Sequence, residues 1–181
     1  MYIGDKMKKI YILLMHTNTI PSKIVKFFTR YEYSHVAISM DNSCYTTYSF
    51  GRRKVHSILN GGLSIQKKDG EFFTYFDKTV CRIYELDITD RQYKKLKRKI
   101  KKMEERQDIY KYDFVGLVPR FFKLPISFKN KYVCSYFVAE LLKQAKIYEF
   151  NKPTCLVNPK DFLNIEEMRE VYTGQYMLYS V

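Results

Sequence analysis

Two residues far apart in the chain have the chemistry of a nucleophile and its base. Cys134 stands at the head of Cys134-Ser135-Tyr136-Phe137-Val138-Ala139-Glu140-Leu141-Leu142, and His35 lies in Tyr33-Ser34-His35-Val36-Ala37-Ile38-Ser39-Met40. A thiol is the stronger nucleophile as its anion, and a helix N-terminus favours that anion through its partial positive charge and unpaired N–H groups. The same N–H groups can hold an oxyanion on a substrate. An imidazole nearby completes a Cys–His pair, which attacks the carbonyl carbon of an amide or ester.

The elements that must carry these residues are legible from periodicity. Cys134, Phe137, Val138, Leu141, Leu142 and Ala145 recur at helical spacing, so the spacing predicts a helix from Cys134 to about Ala145, with its apolar stripe turned inward. The 33–40 stretch alternates, which puts His35 on one strand face with Tyr33, Ala37 and Ser39, and Val36, Ile38 and Met40 on the other. Asp41-Asn42-Ser43 reads as a turn, and 44–50 as the second strand of a hairpin. Ile10 to Met15 is a continuous apolar run, predicting a buried strand, and Val80 to Leu86 predicts another. Thr89-Asp90-Arg91-Gln92 matches a capping box and opens a helix to about Gln107. Short helices are expected from Pro21, within 113–122 and from Pro159; the glycine-containing 51–70 stretch reads as loops with one short strand. The expectation is a single α+β domain over residues 1–181 with an antiparallel sheet packed against the cysteine helix.

The bulk properties narrow the partners. The formal net charge is +13, which favours anionic ones. Eight Lys or Arg residues fall between Arg91 and Lys102, opposite a stripe of Tyr93, Leu96, Ile100 and Met103. That face reads as solvated or as a dock for anionic lipid headgroups. No nucleic-acid motif accompanies it, which disfavours DNA or RNA. Cys44, Cys81, Cys134 and Cys155 contain no CxxC pair, so a zinc site is not expected, and no metal or organic cofactor is required by the thiol chemistry. With no signal peptide evident and no run near the ~20 apolar residues of a membrane span, the chain is expected to be cytoplasmic with reduced thiols, at most peripheral to a membrane.

The order of these motifs resembles a known family. Tyr33-Ser34-His35-Val36-Ala37-Ile38, then Tyr48-Ser49-Phe50-Gly51-Arg52, then Tyr112-Asp113, then the Cys134 helix, is similar to the circularly permuted branch of the NlpC/P60 papain-like superfamily. That branch includes the YiiX/YycO-like bacterial proteins and the lecithin:retinol acyltransferases, and in it the histidine precedes the cysteine, as here. The resemblance implies a permuted papain-like fold, Cys134 as nucleophile and His35 as general base and then acid. It implies a small peptide or lipid-like acyl substrate. It also implies a third polar residue on the strand after His35. Relatives often place histidine or an acid there; this chain offers Thr47 and Ser49. Tyr112 matches a recurrent Tyr-Asp pair and is either an oxyanion or loop-holding group or a core tyrosine. Arg52 either binds a substrate carboxylate or phosphate or is a solvated loop residue; Tyr33 and Ser135 are the other substrate-binding candidates. The alternative is a non-catalytic basic module that binds anionic lipid or nucleic acid.

Overall fold

The structure is a computed structural model that describes residues 6–17, 31–57 and 60–181. The helix expected from Pro21 lies outside those residues. Strand β1 (Met7–His16) is buried from Ile10 onward and runs through the middle of the sheet, hydrogen-bonded to β2 (His35–Ser39) on one side and β5 (Val80–Thr89) on the other. A strand covered on both faces has no reason to alternate, which is why Ile10 to Met15 is apolar throughout. Ile10, Ile12 and Leu14 enter one core cluster, and Tyr11, Leu13 and Met15 enter the other.

The remaining strands are β3 (Thr46–Arg52), β4 (Gly61–Lys67), β6 (Lys111–Tyr112), β7 (Lys131–Tyr132) and β8 (Arg169–Gln175), giving an eight-stranded sheet in the order β7-β6-β4-β3-β2-β1-β5-β8. All pairings are antiparallel except β6 with β7, which is parallel, so the sheet is mixed rather than wholly antiparallel. The helices are α1 (Glu71–Tyr75), α2 (Asp90–Glu104), α3 (Leu117–Phe121) and α4 (Cys134–Gln144). Val36, Ile38, Phe50 and Leu63 pack with Leu96 and Ile100 of α2 and with Phe137, Val138, Leu141 and Leu142 of α4. On the other face Ala37, Cys81 and Ile83 pack with Phe73 of α1 and with Tyr176 and Tyr179 near the C-terminus.

Helix α2 begins as its sequence dictates. The Thr89 hydroxyl accepts from the Gln92 N–H, and the Gln92 side chain accepts from the Thr89 N–H at 2.9 Å, satisfying two donors that the first turn leaves open. Leu96 and Ile100 are buried, so its basic residues face outward.

Strand β4 is the one short strand expected within 51–70. It pairs with β3 along seven positions, from Thr46↔Lys67 to Arg52↔Gly61. The glycines that read as loop punctuation instead admit close neighbours: a Cβ on Gly61 would lie 2.6 Å from the Tyr112 Cβ, and one on Gly62 would lie 2.6 Å from the Tyr110 carbonyl oxygen. β6 thereby reaches the β4 backbone. Gly61→Ala should push Tyr112 away and cost about 1–3 kcal/mol. Urea denaturation reads the loss, and an unchanged midpoint would contradict this close approach.

Candidate functional site

The chain enters α4 directly from β7. Val133 is the N-cap in an extended conformation (φ −104°, ψ 168°), and Cys134 is the first helical residue. The sulfur is buried, with the N–H groups of Val36, Ser135 and Cys134 itself within hydrogen-bonding reach and the Arg120 guanidinium close enough to act on it electrostatically. All four influences favour the thiolate. Burial opposes them and prevails, so the Cys134 thiol titrates above its ordinary range. The Cys134 thiol is therefore neutral at rest, next to N–H donors whose pull would grow if charge developed on sulfur or on a bound oxygen.

Ser135 anchors the same turn: its hydroxyl donates to the Val157 carbonyl at 2.6 Å in the interior. Tyr112 lies within electrostatic range of Cys134, and burial raises its phenol far above the usual range. Its ring packs against Phe114 at 4.7 Å. Tyr112 and Tyr132, which lead into and out of the intervening segment, are register partners in the β6–β7 pair.

His35 opens β2. Its strand neighbours Val36 and Ile38 face α4, whereas Ala37 belongs to the opposite cluster. The imidazole goes with Ala37: it is half-buried and lines a small pocket with Met15, Ala37, Ser49, Gly51 and Phe73. Its Cε1 lies 3.4 Å from where a Cβ on Gly51 would stand. Burial drives its pKa down to about 4. The sulfur and the imidazole thus stand on different faces of the start of β2, the sulfur at the N–H of Val36 and the ring in the pocket on the other side, with no hydrogen bond between them, so the structure does not bring the expected Cys134–His35 pair into contact.

Thr47 and Ser49 line the His35 pocket with Ser64 and Gln66. Their hydroxyl protons are directed to backbone: Ser49 donates to the Val36 carbonyl at 2.5 Å, and Thr47 to the Gln66 carbonyl at 3.3 Å. Arg52 also lines this pocket, donates to the Val55 carbonyl at 3.4 Å, and lies 5.9 Å from the Phe76 ring centroid. Tyr33 is buried in the α4-side core, with the Arg82 guanidinium over its ring at 5.6 Å. Among the described residues no three His, Cys, Asp or Glu side chains are grouped as metal ligands would be.

One pair beside the thiol was not singled out by the sequence. Asp113 is fully buried; its carboxylate meets Arg120 Nη2 at 2.8 Å and accepts the Gly116 N–H at 3.0 Å. Arg120 Nε donates to the Cys155 carbonyl at 2.7 Å, and its guanidinium lies over the Tyr136 ring at 5.7 Å. The signal was available: Asp113 is the one acid between Asp108 and Glu140, in an apolar stretch, and a buried carboxylate needs a cation.

No protein-family model matches the chain, and no curated protein is significantly similar to it. The family resemblance rests on the motifs themselves.

The depressed His35 pKa links folding to pH. The unfolded chain takes up this proton near pH 6.5 and the folded chain only near 4, so the His35 contribution to stability is full above pH 6.5 and is lost as the pH falls towards 4. The loss should approach 3 kcal/mol, at about 1.4 kcal/mol per unit. His35→Gln should flatten the stability profile between pH 6.5 and 4 in urea titrations; an unaltered slope would contradict the buried neutral imidazole.

Proposed function

We propose that the chain is a cysteine hydrolase or acyltransferase with a permuted papain-like fold, acting on an amide or ester through a thioester on Cys134. The observation that carries this reading is the convergence of the Val36, Ser135 and Cys134 N–H groups on a sulfur at the head of a core-packed helix. The strand-borne histidine preceding the helix-borne cysteine, and the packing of that helix on β2 and β3, support the permuted arrangement. Tyr112 beside the thiol supports a role in holding the reacting carbonyl.

In the proposed reaction the Cys134 sulfur forms a bond to the carbonyl carbon as its proton passes to the base, the role the resemblance gives to His35, whose imidazole would have to leave its pocket and reach the sulfur to take it. The collapsing intermediate expels an amine or alcohol, which takes that proton. Water or an acceptor hydroxyl or amine then attacks the thioester, releasing the acyl product and restoring the thiol. A neutral imidazole is needed as the base, and burial keeps His35 neutral down to about pH 4.

A second reading is a non-catalytic basic module, in which the thiol and the imidazole serve packing. It is favoured by the imidazole lining a pocket on the face away from α4 and by the raised thiol pKa. Steady-state hydrolysis of nitrophenyl acyl esters and acyl anilides separates the two. The enzyme reading expects Cys134→Ala to fall to the uncatalysed rate, His35→Ala to lose about 10²–10⁴-fold, and kcat/KM to decline on the acid side near pH 4 rather than 6.5. Turnover that survives in Cys134→Ala would exclude it.

A further inference from the structure

The segment joining β6 to β7 departs from the usual division of apolar inside and polar outside. Between Asp113 and Asn130 it carries large apolar side chains in the open: Val118 is 64% exposed, Phe121 59% and Phe122 66%, with Val115, Leu124 and Ile126 also exposed. Isolated exposed apolar residues are ordinary, but a run of them marks a surface with a partner. Elsewhere among the described residues the exposed large apolar side chains, such as Tyr75, Val171 and Leu178, are scattered along the chain, whereas here they follow one another within a single segment.

We infer that residues 114–128 form a docking surface for an anionic lipid bilayer. Charge identifies the occupant. Lys123, Lys129 and Lys131 are interleaved with or adjoin the apolar side chains, and no acid occurs between Asp113, buried in its ion pair, and Glu140. Lys131 Nζ lies 5.5 Å from the Phe128 ring centroid, an ammonium held at the margin of an apolar surface. Aromatic and aliphatic residues enter the acyl boundary while lysines reach anionic headgroups. A second copy of the chain would bring another +13 charges against the first, which opposes close self-association. Helix α2 contributes charge alone, because its Leu96 and Ile100 are turned into the core.

Position gives this surface its consequence. The segment leaves the sheet at Tyr112, which lies within electrostatic range of Cys134, and returns at β7, whose Tyr132 stands two residues before Cys134. Docking through 114–128 would therefore set the thiol beside the headgroup layer. The binding does not depend on thiol chemistry; if the proposed function also holds, acyl bonds presented at a membrane surface become its substrate class.

The chain contains no tryptophan, so Phe122→Trp supplies a single fluorescent reporter. With vesicles of equimolar phosphatidylglycerol and phosphatidylcholine, its emission should shift to the blue and be quenched by brominated lipid; pure phosphatidylcholine should bind more weakly. In flotation with the same vesicles, Val118→Ser/Phe122→Ser should reduce binding about tenfold or more, with the thermal transition unchanged because both sites are exposed. Lys97→Glu/Arg98→Glu on α2 should have a smaller effect. An unshifted reporter, or flotation of the double-serine variant equal to that of the original chain, would overturn the inference. So would a dimer in light scattering that the double-serine variant converts to monomer, since the surface would then belong to a second copy. Loss of hydrolysis in Cys134→Ala with binding retained would separate this docking from the chemistry.

Discussion

The seating of the first turn of α4 against the start of β2 is the constraint on which the rest of the candidate site depends. The chain reaches Cys134 from β7 with one intervening residue, Ser135 ties the turn to the Val157 carbonyl, and the sulfur meets the Val36 N–H. β2 and β3 are paired at Ile38↔Tyr48, and towards His35 the strand ladder gives way. There the Val36 carbonyl accepts from Ser49, and its N–H is turned to the thiol. A peptide unit released from the ladder must find other partners, and at Val36 those partners are the two side chains of chemical interest.

Electrostatics at this point are opposed by burial. The helix start, three N–H groups and the Arg120 guanidinium favour a thiolate; burial disfavours it more. On the far side of the strand the same exclusion of water holds His35 neutral. A neutral thiol at the head of α4 and a neutral imidazole on β2 differ from a standing thiolate–imidazolium pair; in the proposed reaction charge separation would wait until a substrate supplies an acceptor for it. The exposed apolar segment springs from β6 near this site, so the candidate site and that segment share the β6–β7 edge of the sheet.

Much of the frame was legible in the sequence because single elements announced themselves. The unbroken apolar run of β1, the Thr89–Gln92 capping box and the stripe from Cys134 to Ala145 each follow from local rules and appear where those rules put them. Strand β4 was legible only as a short strand of no fixed place within 51–70, because Gly61 and Gly62 read as loop residues when the reason for them is the approach of β6 from distant sequence. Strand β8 was missed: an edge strand that stays largely exposed has little hydrophobic pattern to betray it. Alternation in 33–40 grouped His35 with Ala37 and Ser39 as the structure does, but it also put Tyr33 on that face, and Tyr33, which precedes β2, packs in the α4-side cluster instead. It could not say which group meets α4, since a sheet covered on both faces offers an apolar partner to either. The Asp113–Arg120 pair joins residues seven apart across a turn, and no periodic rule reports such a contact.

The most direct test of the central claim is where an acyl group lands. The protein is exposed briefly to a nitrophenyl acyl ester, quenched in acid and mapped by peptide mass spectrometry across Cys44, Cys81, Cys134 and Cys155. The account predicts a hydroxylamine-labile adduct on Cys134, with the three other buried thiols unmodified. An unmodified Cys134, or acylation spread equally over the four cysteines, would contradict it.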